Sequence, residues 1–219
     1  MPFVFSLEFA RQQDTRDPLS SYRNQFIFPH HNGREAIYFT GNSLGLQPQA
    51  ARKALETELE DWAAHGVEGH FEARHPWYSY HELFAAPLAA VVGAKPSEVV
   101  AMNGLTVNLH LLMASFYRPE GKRTKILCEG KAFPSDQYAL ASQAQLHGLD
   151  PKETVVEMHP REGEHLLRTE DILETIAALG DELACIMIGG VNYYTGQYFD
   201  LAAITEAGHR VGARVGFDL

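Results

Sequence analysis

From Glu98 to the last residue, short apolar runs alternate with longer amphipathic stretches. Val99-Val100-Ala101-Met102, Lys125-Ile126-Leu127-Cys128-Glu129, Thr154-Val155-Val156-Glu157-Met158, Cys185-Ile186-Met187-Ile188 and residues 213–217 read as strands, being continuous, rich in β-branched residues and bounded by turn residues. Between them the spacing predicts helices from about Thr106 to Tyr117 and from about Ser135 to Gln145. A third, with Thr169 as its N-cap, carries Ile172, Ile176 and Leu179 on one stripe and stops at Gly180. A fourth, capped by Asp200, holds Leu201, Ile204 and Ala207. Strands alternating with helices at this spacing predict right-handed βαβ units: an α/β fold, mostly parallel sheet, with helices on both faces.

The first part of the chain is less regular. Residues 1–36 are polar and broken by Asp17-Pro18 and Phe28-Pro29. A short strand, Ala36-Ile37-Tyr38-Phe39-Thr40, is expected to run into the glycine-bounded loop Gly41-Asn42-Ser43-Leu44-Gly45. A helix follows, with Pro48 in its first turn, Leu55, Leu59, Trp62 and Ala63 on one face, and Gly66 closing it. Trp62 is expected in the core. Residues 66–81 read as a loop rich in histidine and aromatics, with Trp77 a candidate for a subunit interface.

Composition narrows the classes. Asp and Glu outnumber Lys and Arg by 28 to 18, a net charge of −10, which argues against a nucleic-acid surface. An anionic ligand is still allowed, because backbone N–H groups at a helix N-terminus can hold a phosphate. No apolar run approaches a membrane span and no signal sequence is evident, so a cytoplasmic, soluble protein is expected. Cys128 and Cys185 lie inside apolar runs and read as buried reduced thiols. His30, His31, His65, His70, His75 and His81 have no zinc-type spacing, so no metal site is expected.

Chemistry concentrates at three predicted strand ends, where open α/β sheets bind ligands. Asn103-Gly104-Leu105-Thr106 opens a helix and forms an anion cradle, the glycine letting a ligand come close. In Lys131-Ala132-Phe133-Pro134-Ser135-Asp136, Pro134 holds Phe133 extended, ready to lie over a planar ligand, and Ser135 and Asp136 cap the next helix. Taken singly, each of these also reads as an ordinary cap or core residue. Asp218 ends a buried strand, where a lone carboxylate is costly, so a cation or strong donor should sit opposite it. A phosphate cradle, a flat aromatic and a buried acid together fit a phosphorylated, planar, protonatable heterocycle. Pyridoxal phosphate has all three properties.

The segments Tyr38 to Pro48, Met102 to Met113, Lys131 to Asp136, Tyr194-Thr195-Gly196-Gln197 and Gly216-Phe217-Asp218-Leu219 resemble the kynureninase family, in order and over nearly the whole chain. The resemblance implies a PLP-dependent transferase-like fold of type I and a homodimer with a shared active site. It implies hydrolysis of kynurenine or 3-hydroxykynurenine to the matching anthranilate and alanine, in tryptophan catabolism and NAD biosynthesis. By that resemblance Leu105 and Thr106 bind the cofactor phosphate, Phe133 stacks on the ring, Pro134, Ser135 and Asp136 complete that wall, and Asp218 pairs with the pyridine nitrogen. Ser43 and His70 match positions at the aromatic end of the substrate. Gly189 stands where many relatives place a small hydroxyl residue. Residues 1–45 are expected to pack with a small C-terminal domain not present in the chain, and 46–219 to form an incomplete large cofactor-binding domain. The Schiff-base lysine is expected beyond Leu219, which would leave the 219-residue chain inactive alone. Two other readings stay open: another fold-type-I enzyme, such as a cysteine desulfurase or aminotransferase, and a non-catalytic fragment.

Overall fold

The computed structural model describes residues 3–219. The chain divides into two compact units, Met1–Ala101 and Met102–Leu219.

The first unit holds helix α1 (Leu7–Arg16), two-residue strands β1 (Phe26–Ile27), β2 (His30–His31), β3 (Arg34–Glu35) and β4 (Gln47–Pro48), then helices α2 (Ala50–His65), α3 (Gly69–Glu72) and α4 (Glu82–Val92). Helix α1 was not expected from so polar a stretch. It buries no residue, and Ser6 caps it by accepting from the Phe9 amide at 3.1 Å. Helix α4 tolerates Pro87 in its interior and ends at Gly93, whose φ of +71° suits a left-handed cap. The strand expected at 36–40 does not form, because no neighbouring segment pairs with it. Pro48 pairs with Phe26 in β4 instead of opening α2, and Gly66 closes that helix with φ +54° and ψ −129°, a positive-φ conformation other than the left-handed one expected. Among the described residues of this unit only Asp61, Gly69, Ala73 and Ala89 are buried. Leu55, Leu59 and Trp62 stay exposed, so Trp62 is no core residue: among the described residues of the unit nothing covers that face of α2.

The second unit contains α5 (Leu105–Phe116), β5 (Lys125–Glu129), α6 (Pro134–Leu146), α7 (Pro151–Thr154), β6 (Val155–Met158), α8 (Thr169–Leu179), β7 (Leu183–Gly189), α9 (Leu201–Arg210) and β8 (Arg214–Asp218). Its parallel sheet runs β6-β5-β7-β8, as the alternating pattern predicted. Thr154 closes the single turn of α7, which Asp150 caps, so β6 starts one residue later than expected. Thr169 is the first residue of α8 and Arg168 its cap. Residues 99–102 are not a strand, since neither edge of the sheet takes them.

Period-two alternation sends side chains to two cores. Leu127, Ile186 and Ile188 meet Ile172 and Ile176 of α8 and Ile204 of α9 on one face. Ile126 and Cys128 meet Leu109 and Met113 of α5 and Leu140 of α6 on the other. A register shift between Lys125 and Ile126 sets Leu183 and then Cys185 against consecutive residues of β5, and Ala184 and Cys185 both join the second core. Both thiols are free and buried, and burial pushes each up to about 12.

Helix α9 lies so close to the sheet that a Cβ on Gly208 would fall 2.5 Å from Val215 Cγ2 and 2.9 Å from Ile186 Cδ1. Gly208→Ala should therefore cost about 1–3 kcal/mol of stability, read as a lower midpoint in chemical unfolding. An unchanged midpoint would mean the helix can lift off without loss.

Sheet order positions the site. The chain goes from β5 outward to β6, then returns past β5 to β7 and on to β8. The connections that leave β5 and β7 run in opposite directions, through α6 on one face and α9 on the other. The carboxyl ends of β5 and β7 therefore form a topological switch point, the crevice where open α/β sheets bind ligands.

Candidate active site

Three acids converge on that crevice. Glu129 ends β5, Asp218 ends β8, and Asp136 lies in the first turn of α6. Glu129 and Asp136 are buried, at 4% and 6% exposure. Glu129 Oε1 accepts from the Gly189 amide at 3.1 Å, bridging β5 to the end of β7, while its Oε2 is buried with no hydrogen-bond partner. The Gly190 amide donates to the Asp218 carbonyl at 2.6 Å and fixes the end of β8. The Asp136 and Asp218 carboxyl groups lie close enough for the charge and hydrogen bonding of Asp218 to act on Asp136.

Two carboxyl groups can hydrogen-bond only if they hold a proton between them. Burial first, then the charge and hydrogen bond of Asp218, push the Asp136 carboxyl up to about 6, against a weaker opposing bond from Ser135. Burial likewise raises Glu129, with Asp218 adding to it and backbone donors resisting. Among the described residues, no Lys, Arg or His forms an ion pair with any of the three. The group opposite Asp218, where a cation or strong donor was expected, is thus another acid, which serves as a donor when it holds the proton. The cluster carries more negative charge than its surroundings compensate, and an orphaned carboxylate oxygen lies within it.

Helix α6 begins differently from the expected pattern. Pro134 takes the first helical position and makes Phe133 the N-cap residue, with φ −56° and ψ 138°. Ser135 and Asp136 lie inside the first turn and cap nothing, which frees Asp136 to face Asp218. Phe133 is half-exposed, and Tyr193 meets its ring edge-on at 5.1 Å. Lys131 enters this turn with φ +60°.

Helix α5 supplies the opposite charge preference. Its cap is Gly104, two residues before Thr106, and no side chain caps it. The first-turn amides of Leu105, Thr106 and Val107 have no carbonyl to reach, as at any helix start. Asn108 clamps the turn, its Oδ1 accepting from the Asn103 amide at 2.9 Å and its Nδ2 donating to the Asn103 carbonyl at 3.0 Å. A Cβ on Gly104 would meet nothing within 4 Å, so the protein itself does not require this glycine. His110 lies 3.1 Å from Gln143, and Tyr117 packs edge-on against His147 at 5.3 Å. Those paired contacts advance together along both helices, so α5 and α6 run side by side in parallel. The positive end of each helix therefore points to the same side of this unit.

Ser43 and His70 belong to the first unit. Ser43 is exposed, its amide donating to the Thr40 carbonyl at 2.9 Å. The His70 ring is also exposed, with Nδ1 2.8 Å from the Val67 carbonyl. Residues 66–81, expected as a loop, hold short helical turns tied to α2 by Asp61. Asp61 accepts from Arg74 Nε and from the Arg74 amide, both at 2.8 Å. Burial alone would raise the Asp61 carboxyl, but Arg74 outweighs it and holds the carboxyl below the usual range.

The sequence pattern missed Glu129, Asn108, Tyr193 and Asp61. Glu129 carried the signal that singled out Asp218, an acid closing an apolar strand.

No family model matches the chain. Among solved structures, the cystine C-S lyase C-DES in complex with cysteine persulfide superposes with a TM-score of 0.63 at 15% identity, over 83% of this chain and 49% of that one. An apo cysteine desulfurase from Thermococcus onnurineus gives 0.59 at 17% identity, over 100% of this chain and 48% of that one. A further C-DES structure, a lysine-to-alanine mutant with glycine covalently linked to its PLP cofactor, gives 0.60 at 17% identity, over 80% and 44%. The chain thus has the fold of the cysteine desulfurase-like, fold-type-I PLP-dependent enzymes. Curated relatives are more specific. The kynureninase of Flavobacterium psychrophilum is 61% identical over 100% of this chain and 52% of its own length, and that of Christiangramia forsetii 59% over the same shares. The kynureninase of Nematostella vectensis is 46% identical over 99% of this chain and 49% of its own. The chain resembles kynureninase along its whole length, and spans about half the length of the curated relatives it matches.

Proposed function

We propose that this chain forms the cofactor seat of a kynureninase that hydrolyses kynurenine or 3-hydroxykynurenine to anthranilate or 3-hydroxyanthranilate and alanine. The carrying observation is the close grouping of buried Glu129 and Asp136 with Asp218, with the Glu129 Oε2 left without a partner. A buried excess of carboxylates favours a ligand that brings a proton and a positive charge, and the protonated pyridine nitrogen of pyridoxal phosphate does both. The amides of Leu105 and Thr106 suit its phosphate. In this reading Phe133 covers one face of the ring, Pro134 and Ser135 shape that wall, and Asp136 backs Asp218, which holds the nitrogen cationic.

Bound there, pyridoxal phosphate supplies an electron sink for a substrate carbanion. The chain's own part is to grip the phosphate, orient the ring and keep a proton at the pyridine nitrogen. The Schiff-base lysine comes from outside these residues, in keeping with the half-length match. Residues 1–45 pack with the small domain, 46–219 belong to the cofactor domain, and the enzyme works in the cytoplasm as a homodimer with a shared active site.

The test is product analysis with the full-length protein and cofactor. Formation of anthranilate and alanine from kynurenine supports the reading, and release of sulfur from cysteine without kynurenine cleavage would replace it with a desulfurase. From the resemblance, Ser43 and His70 are assigned to recognition of the substrate's aromatic ring. His70→Ala should shift the ratio of kcat/KM for 3-hydroxykynurenine over kynurenine, and an unaltered ratio removes His70 from that role.

A further inference from the structure

Between the end of β7 and the start of α9 the chain makes a tight loop, 190–199, that touches the crevice twice. At its base the Gly190 amide donates to the Asp218 carbonyl at 2.6 Å, and a single bridge joins Val191 to Tyr198. At its tip the Tyr193 ring meets the Phe133 ring nearly at right angles, with centroids 5.1 Å apart and planes at 80°. The backbone between is braced. Asn192 is buried, and its Oδ1 accepts from the Tyr194 amide at 3.1 Å, the Thr195 amide at 3.0 Å and the Thr195 hydroxyl at 3.1 Å. Gln197 clamps the returning arm to Leu167, accepting from its amide at 2.9 Å and donating to its carbonyl at 2.5 Å. Phe199 then enters the core and ends the loop. The Tyr193 ring is itself half-exposed, yet it is carried on fixed backbone.

Phe133 needs such a neighbour. Pro134 restricts the Phe133 backbone but does not set the torsions of its side chain, and the ring is half-exposed and belongs to neither core. A perpendicular partner takes at most one face of a ring and leaves the other open to a planar ligand. We infer that Tyr193, presented by the braced loop 190–199, is the positioning residue that sets the Phe133 ring for stacking on the cofactor, with Asn192 holding the loop tip in place. The inference rests on the reading of Phe133 as the cover of the pyridine ring and adds what fixes that cover. The same loop ties the end of β8 at its base, so it sets the acid at the edge of the cofactor ring and the aromatic over its face relative to each other. The role belongs to the ring of Tyr193 and not to its hydroxyl, so phenylalanine should serve as well.

The experiment uses the full-length protein, stripped of cofactor and titrated with pyridoxal phosphate. Tyr193→Ala should raise the dissociation constant about two- to tenfold, the worth of one edge-on aromatic pair, and weaken the visible circular dichroism of the cofactor bound at saturation. Tyr193→Phe should keep both at the parent value. Asn192→Ala should move both readouts in the direction of Tyr193→Ala, and Asn192→Asp, which keeps the accepting oxygen, should rescue them. A merely structural role would lower the unfolding midpoint without changing the dichroism per bound cofactor. The effect must also run through Phe133: in a Phe133→Ala background, Tyr193→Ala should change neither readout further. If Phe133→Ala alters the cofactor signal while Tyr193→Ala leaves it at the parent value, or if the Tyr193→Ala effect persists in full without Phe133, the inference is overturned and the role of Phe133 survives. If Phe133→Ala changes neither readout, the placement of Phe133 over the ring is itself wrong. Should Tyr193→Ala fail to fold, Tyr193→Leu, which keeps the bulk without the aromatic ring, decides in its place.

Discussion

In the full-length protein, Asp218→Asn should lower kcat for kynurenine roughly 10²–10³-fold while KM moves by less than about threefold. The asymmetry follows from when the charge matters. An amide in place of the carboxylate still fills the end of β8 and leaves the Gly190 contact to the Asp218 backbone carbonyl intact, so the crevice keeps its shape. In the proposed role, what is lost is the negative charge that would keep the cofactor's ring nitrogen protonated. That proton stabilises electron density arriving from the substrate, which is greatest in the transition state and small in the bound ground state. Steady-state kinetics at saturating cofactor, followed by anthranilate fluorescence, separates the two parameters. A loss confined to KM would make Asp218 a binding residue only, and an unchanged kcat would take it out of the chemistry.

The neighbouring substitution should do the opposite to stability. Asp136→Asn is expected to stabilise the cofactor-free protein at pH 8 by on the order of 1–3 kcal/mol. Burial and the Asp218 charge raise Asp136 from the ordinary 3.8 to about 6. Between those pH values the native state holds more protons than the unfolded chain, so stability falls as pH rises from about 4 to about 6, and the penalty persists above that. An uncharged amide still donates to Asp218 and escapes the penalty. Urea unfolding of the cofactor-free protein at pH 5 and pH 8 should show a decline for the parent that the variant lacks. A variant less stable at pH 8 would mean that the ionised pair is favourable in the empty protein. Cofactor affinity should fall in the same variant, since the repulsion it relieves is what a cationic ring nitrogen relieves in the parent. Sites that hold charge for catalysis commonly cost stability in this way.

Much of this was legible in the sequence because both cores obey simple periods. The runs at 125–129 and 185–188 have the length and β-branched content of buried strands, and the stripe Ile172, Ile176 and Leu179 is a helix face. Asp200 caps its helix as read, accepting from the Ala203 amide at 3.0 Å. Where the reading failed, pairing or composition decided. Ala36–Thr40 and Val99–Met102 look like strands, yet a strand forms only with a neighbour, and no neighbour is encoded in the run itself. Helix α1 has no apolar stripe to announce it, and Pro87 disguises α4. In the crevice, Asp136 looked like a helix cap because its proximity to Asp218 depends on two elements far apart in sequence. Glu129 was overlooked since a strand's last residue usually faces solvent, whereas here the switch in crossover direction encloses it.

The outer side of β8 has a bearing on handling. Among the described residues the strand pairs with β7 alone, so the backbone donors and acceptors along its far side make no ladder there. Such a seam is adhesive: two copies can zip together along it, or one can template a growing stack. The 219-residue polypeptide by itself would then be prone to self-association at the concentrations that spectroscopy needs, with its acid-lined crevice next to the sticky border. Physical measurements on the crevice accordingly belong in a protein where that border is covered.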